Sequence, residues 1–174
     1  MITIKHGNLF DSEVESLVNL VNCAGVMGAG LARAFAIKYP DMEKDYIEYC
    51  DEGHLKPGGC FVWYSRDSKK IIINAATKDG KHYDKSLGPS KIFWVQSCID
   101  DIADITIKLK LNSIAIPPLG CGLGGLDESK VWPYIYKTYT FGPKSKELAK
   151  CNIEYYAQSS TIEVLKWIGL CTNS

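Results

Sequence analysis

The spacing of apolar positions changes repeatedly along the chain. ITIKH (2–6) alternates apolar and polar residues, the two-residue period of a strand. SLVNLVNC (16–23) is apolar on both faces, which predicts a strand covered on both sides, as in a parallel sheet. GLARAFAIKYP (30–40) switches to a helical period, with Leu31, Phe35 and Tyr39 on one stripe and Pro40 as the expected stop. Asp41 is placed to cap a second helix, MEKDYIEYCDEG (42–53), which Gly53 ends. GCFVWYS (59–65) and KIIINAAT (70–77) read as strands joined by a polar hairpin-type connection, SRDSKK. A loop, KDGKHYDKSLG (78–88), follows, and Pro89 suits the first turn of a long helix spanning roughly 90–110. NSIAIPPLG (112–120) reads as a short apolar strand closed by two prolines. Asp127 is placed to cap the helix ESKVWPYIYKTY (128–139), which Pro133 is expected to shorten or kink. NIEYYAQ (152–158) is a last strand, and STIEVLKWIG (160–169) a last helix with Ser160 near its start.

Strands alternating with helices imply a three-layer α/β/α domain around a mixed, largely parallel central sheet of about six strands. Ligands of such sheets bind at the carboxyl ends of the strands. Three informative loops fall there, after Cys23, after Ala76 and after Pro118.

Composition narrows the classes. The chain of 174 residues fits a single domain, 1–174. Lys plus Arg equals Asp plus Glu at 20 each, which argues against gripping nucleic acid by bulk charge. No apolar run is long enough to span a membrane, and MITIKHGNLF lacks a signal-peptide layout. Seven cysteines without a C-x-x-C pair, and three scattered histidines, predict reduced thiols in a cytoplasmic protein, with no metal site and no cofactor.

Two glycine loops carry the candidate chemistry. Gly25-Val-Met-Gly28-Ala-Gly30 and Gly120-Cys-Gly-Leu-Gly124-Gly125 each lie between a predicted strand and a predicted helix. Glycine lets a ligand approach the backbone, and a helix start presents free N–H groups to an anion. Neither loop is a P-loop, because no Lys-Ser/Thr pair follows. Gly28-Ala-Gly30-Leu-Ala-Arg33 lacks the third glycine of a dinucleotide fingerprint. Paired at neighbouring strand ends, the loops are suited to clamp a pyrophosphate from two sides.

Gly7-Asn-Leu-Phe10, LVNLVNCAGVMGAGLA (17–32), IINAATK (72–78) and SIAIPPLGCGLGGLD (113–127) together resemble the macrodomain family, over roughly residues 2–158. The resemblance is closest to the DarG-type DNA ADP-ribosyl glycohydrolases and the terminal ADP-ribose protein glycohydrolases. AIKYPDMEKDYIEYC (36–50) also resembles ADP-ribose-1″-phosphate phosphatases. The family implies an ADP-ribose-binding α/β/α module.

By that resemblance Asn8 takes the adenine amino group, Leu9 lies beside the base and Tyr156 stacks on it. Asn22 stands near the distal ribose, as ribose ligand or orienter of a water. Val26, Met27, Gly28, Ala29, Gly30 and Leu31 form one side of the diphosphate and ribose site, with Met27 covering the ribose. Leu119, Gly120, Cys121, Gly122, Leu123 and Gly124 wrap the other side, and Thr77 lies beside them. Cys121 has no histidine near it in sequence, so packing is its expected role. Lys78 matches the lysine implicated in catalysis in the glycohydrolase subgroup. Its amine is suited to attack C1″ or assist proton transfer if burial or nearby cations lower its pKa. The aspartate that the protein-directed relatives use in the second loop is Gly124 here, with Asp127 three residues on. Asn19 stands where the phosphatase-like relatives carry a histidine.

The leading expectation is removal of ADP-ribose from a modified substrate, a nucleobase or DNA end before a protein. Hydrolysis of ADP-ribose-1″-phosphate and non-catalytic ADP-ribose binding stay open as alternatives. Lys78, Lys81, Lys85 and Lys91, with His82 and Tyr83, make single-stranded DNA a candidate partner. The toxin-binding C-terminal region of DarG-type antitoxins is not expected in this chain.

Overall fold

The computed structural model describes residues 2–80 and 88–158. Six strands form one sheet: β1 (Ile2–Lys5), β2 (Ser16–Asn22), β3 (Cys60–Tyr64), β4 (Ile71–Lys78), β5 (Ser113–Ile116) and β6 (Asn152–Tyr156). Their spatial order is β1-β6-β5-β2-β4-β3, all parallel except β3, which runs antiparallel to β4 at one edge. The SRDSKK connection closes as a hairpin, with Ser65 N–H donating to Lys70 O at 2.9 Å.

Strand alternation assigns each side chain to a layer. Val18, Ile73, Ala75, Ile114, Ile116 and Tyr155 face α3 (Ile92–Lys108) and α4 (Glu128–Thr140). Leu17, Val21, Ile72, Ala76 and Ala115 face α1 (Gly30–Lys38) and α2 (Pro40–Asp51). The expected three-layer α/β/α arrangement is therefore present. A short α5 (Ser145–Leu148) and a 3-10 turn (Leu9–Asp11), neither visible in the apolar pattern, complete the described elements.

Prolines account for most departures from expectation. Pro40 opens α2 instead of merely closing α1. It forces Tyr39 out of the helical region (φ −131°, ψ 70°) and then sits in the first turn, where its missing N–H costs nothing. Asp41 consequently lies inside that turn and Tyr39 holds the cap position. Pro89 precedes α3 by three residues, with Lys91 at the N-cap, so it is not in the first turn. Pro133 lies on the exposed side of α4, and the helix continues through it to Thr140. Asp127 does cap α4, accepting from Ser129 N–H at 2.9 Å. The strand expected over 112–120 ends at Ile116, because Pro117 has no N–H for the ladder. The helix expected over 160–169, together with Lys81, His82, Tyr83 and Lys85, lies outside the described residues. Among the described residues no helix is long and apolar enough to cross a membrane.

Candidate active site

The carboxyl ends of β2, β4 and β5 are neighbours in the sheet, so the loops leaving them meet at one place. They enclose a cavity of about 260 Å³. Of the residues singled out in the sequence, Asn22, Val26, Gly28, Ala29, Gly30 and Leu31 line it from one side. Thr77 and Lys78 line it from β4, and Gly120, Gly122, Leu123 and Gly124 from the other side. The two loops touch at their tips, where a Cβ on Gly30 would lie 3.5 Å from Leu123 Cδ1.

The walls suit an anion. Helix α1 begins at Gly30 with no side-chain cap and no acidic residue in its first turn. Among the described residues the N–H groups of Gly28, Ala29, Gly30, Gly122, Leu123 and Gly124 donate to no acceptor. Orphan backbone donors from two loops around one cavity form a ready cradle for phosphate oxygens. A larger groove of about 1050 Å³ lies between α2 and β3, but it presents five carboxylates (Asp41, Asp45, Glu48, Glu52 and Asp67) against three cationic side chains. That balance has the wrong sign for a diphosphate.

Asn22 shapes the first loop. Its Oδ1 accepts from Ala24 N–H (2.8 Å) and Val26 N–H (3.4 Å), and its Nδ2 donates to Val26 O (2.6 Å), while the Tyr46 O–H donates to the Asn22 backbone O at 2.7 Å. A carbonyl oxygen has two lone pairs, and these two loop N–H groups occupy both. The carboxamide presents its amino group alone to a ligand.

Lys78 stands opposite Asn22. The β2–β4 register slips between Val21 and Asn22, so Asn22 pairs with Lys78 and Thr77 is passed over. Such a bulge re-aims the side chains beyond it. Lys78 Nζ then reaches across the cavity to donate to Leu123 O at 2.7 Å. Partial burial lowers its pKa from the ordinary lysine value. It is the single ionisable side chain among the described residues lining the cavity.

The remaining sequence candidates lie elsewhere. Met27 is 4% exposed and packs in the core on the α1/α2 side, with Asn19 Nδ2 at 3.9 Å from its sulfur. Leu119 is wholly buried in the opposite core. Cys121 Sγ donates to Leu119 O at 3.3 Å. Burial, with Glu128 and Asp127 nearby, pushes its pKa up to about 12, so the thiolate a nucleophile needs is absent near neutral pH. Asn8, Leu9 and Tyr156 gather at the ends of β1 and β6, off the cavity. Asn8 Oδ1 accepts from Phe10 N–H at 3.1 Å, and Leu9 and Tyr156 pack into one apolar cluster. Asn19 is fully buried and donates to Asn74 Oδ1 at 2.9 Å.

Sequence reasoning missed Ser90. It lines the cavity at 5% exposure, its N–H donates to Gly124 O at 3.0 Å, and its Oγ has no partner among the described residues. A Pro-Ser pair behind a polar loop carries no signal of such a position. Leu20, Val21 and Ala32 also complete the wall.

Comparison with known proteins agrees with this geometry. The chain matches the Macro domain family over residues 18–135. It is 41% identical over 129 residues to a DNA ADP-ribosyl glycohydrolase of Mycobacterium tuberculosis, covering 73% of this chain and 35% of that protein. It is 38% identical over 138 residues to a protein of the same name from Thermus aquaticus, covering 78% and 36%. The chain thus spans about a third of the length of these relatives. Among solved structures, the macrodomain of Mycobacterium tuberculosis DarG superposes with a TM-score of 0.78 at 33% identity, covering 91% of this chain and 99% of that one. Paired glycine loops at adjoining strand ends, a six-stranded mixed sheet and the match over residues 18–135 place the chain in the macro domain family.

Proposed function

We propose that the chain binds ADP-ribose between its two glycine loops and hydrolyses it from a nucleobase of modified DNA. The activity named for the Mycobacterium tuberculosis and Thermus aquaticus relatives supports this reading. The observation that carries it is Lys78, the single ionisable group on the described cavity wall, with a lowered pKa. In the reaction the bond between C1″ and the base breaks, and its electron pair leaves with the base. Water supplies the new oxygen on C1″ and the proton that neutralises the base. The Lys78 amine takes the proton from that water and passes it on, or adds to C1″ and is itself displaced by water. Loop N–H groups hold the diphosphate, and Asn22 fixes the first loop that carries half of them.

The test compares wild type and Lys78→Ala on ADP-ribosylated thymidine in DNA, on ADP-ribosylated protein and on ADP-ribose-1″-phosphate. Turnover of the DNA substrate is expected to fall about 10²–10⁴-fold in the variant, with ADP-ribose binding by calorimetry retained. Undiminished turnover removes Lys78 from the reaction. Turnover of the phosphate ester or protein substrate in preference to DNA overturns the substrate assignment.

A pH profile examines the same group. Desolvation lowers the Lys78 pKa, so its neutral fraction grows as pH rises toward a midpoint below the ordinary lysine value. The rate on the DNA substrate is expected to rise with pH up to that midpoint and then level. A rate that falls as pH rises indicates that the charged form is the active one.

One observation favours a second reading, a non-catalytic binder of ADP-ribose. No carboxylate lines the cavity among the described residues, and Asp127 is engaged as the α4 cap. ADP-ribose binding without turnover of any of the three substrates selects it.

A further inference from the structure

The first turn of α3 carries a second candidate surface beside the cavity. Ser90 is part of the cavity wall, and just after it Lys91 and Phe93 are exposed and Trp94 is half-buried. Phe93 is 55% exposed, and its ring centroid lies 5.2 Å from that of Trp94 at an interplanar angle of 63°. Lys91 Nζ sits 4.6 Å from the Trp94 centroid and 5.8 Å from that of Phe93. Two other aromatic side chains are as exposed among the described residues. Tyr64 belongs to the acidic groove between α2 and β3, and Phe141 packs edge-on against Tyr136 at the far end of α4. Phe93 alone of the three follows a residue of the cavity wall in sequence, three positions after Ser90.

We propose that Lys91, Phe93 and Trp94 form a platform for the nucleotides that flank the ADP-ribosylated base of single-stranded DNA. The inference rests on the DNA-directed reading above. An exposed aromatic face stacks a base without sequence preference, and a cation beside it pairs with the phosphate linking that base to the next. A purely apolar partner would bury the Lys91 charge against both rings without an anion to balance it, whereas a phosphodiester brings that anion. The acidic groove on the α2 side repels the same chain, so substrate strands are directed along the α3 side.

The test titrates an unmodified fluorescent oligothymidylate of about 12 nucleotides into wild type, Phe93→Ala and Lys91→Ala, reading anisotropy. Wild type is expected to bind, Phe93→Ala to bind about ten-fold more weakly, and Lys91→Ala to lose about 0.7 from the salt slope. ADP-ribose affinity by calorimetry is expected to stay the same in both variants, which also shows that they fold. No oligothymidylate binding by wild type, or equal binding by all three proteins, overturns the platform. Binding to duplex DNA as tight as to the single strand, unchanged in Phe93→Ala, likewise excludes stacking. If the oligonucleotide results hold while no protein turns over ADP-ribosylated DNA, the glycohydrolase reading falls and the platform stands. If ADP-ribosylated DNA is turned over while both variants bind the oligonucleotide like wild type, the platform falls and the glycohydrolase reading stands.

Discussion

The two glycine loops look alike in sequence and differ in what their glycines are for. In the second loop the chain itself excludes side chains. A Cβ on Gly124 would lie 2.2 Å from Gly120 O and 2.4 Å from Ser90 Oγ. At Gly120, which also has a positive φ of 73°, a Cβ would meet three side chains at 2.9–3.0 Å. In the first loop nothing is crowded. A Cβ on Gly28 would meet only Val26 Cγ1 at 3.6 Å, an ordinary contact. Two positions in the second loop share that freedom: Gly122 and Gly125 have open space around them, although Gly125 has a positive φ of 78°. Gly28 and Gly122 have neither a positive φ nor a crowded neighbour, yet both line the cavity and offer unclaimed N–H groups. Nothing within the fold requires glycine at these two positions.

The largest expected effect separates these two kinds of glycine. Gly124→Ala forces a methyl group into a carbonyl oxygen that belongs to its own loop, so backbone has to move. A loss of about 3 kcal/mol is expected, the upper end for overpacking, seen as a melting temperature lower by roughly 6–12 °C for a chain of this size. A variant that melts with the wild type shows that the second loop is as open as the first.

Gly28→Ala and Gly122→Ala are expected to do the opposite. Stability stays within about 0.5 kcal/mol of wild type, since no contact is strained. ADP-ribose affinity falls about ten-fold in each, equivalent to about 1.4 kcal/mol, as a methyl group pushes the ligand from the backbone donors. Calorimetry and thermal melting on the same samples give both numbers. Unchanged affinity in either variant means that its N–H group does not face the ligand.

Much of this architecture was legible in the sequence, because apolar period reports which face of an element is covered. SLVNLVN had to be a central strand, and it is buried on both sides. Both glycine loops were visible as loops, and twelve of the expected site residues do line one cavity. The contrast between the loops was hidden, since it depends on how the second loop folds back on its own Gly120 carbonyl and on Ser90, from a segment far back in the chain. The opposition of Asn22 and Lys78 was hidden too. It arises from a one-residue register slip that no local pattern encodes. The inward packing of Met27 was hidden for a related reason. An apolar residue at a loop tip can turn outward or inward, and the α1/α2 core had room for it.

Ser90 gives the smallest effect and the finest test of the second loop. Its Oγ is buried without a partner among the described residues, so Ser90→Ala removes a desolvated hydroxyl and is expected to raise stability by about 1 kcal/mol. It also removes one of the three atoms that a Cβ at Gly124 would strike. The other two, Gly120 O at 2.2 Å and Gly120 C at 2.8 Å, remain, and the oxygen is the closest of the three. The double variant Ser90→Ala/Gly124→Ala is therefore expected to recover less than half of the Gly124→Ala loss beyond the additive value, a coupling of about 1 kcal/mol. Full recovery would make the serine, and not the loop's own backbone, the reason for glycine at 124. ADP-ribose titration of Ser90→Ala then separates the two uses of the hydroxyl. Affinity lower by about five-fold, the net value of one hydrogen bond, shows that the hydroxyl is held for the ligand, while unchanged affinity leaves it a wedge beneath the loop.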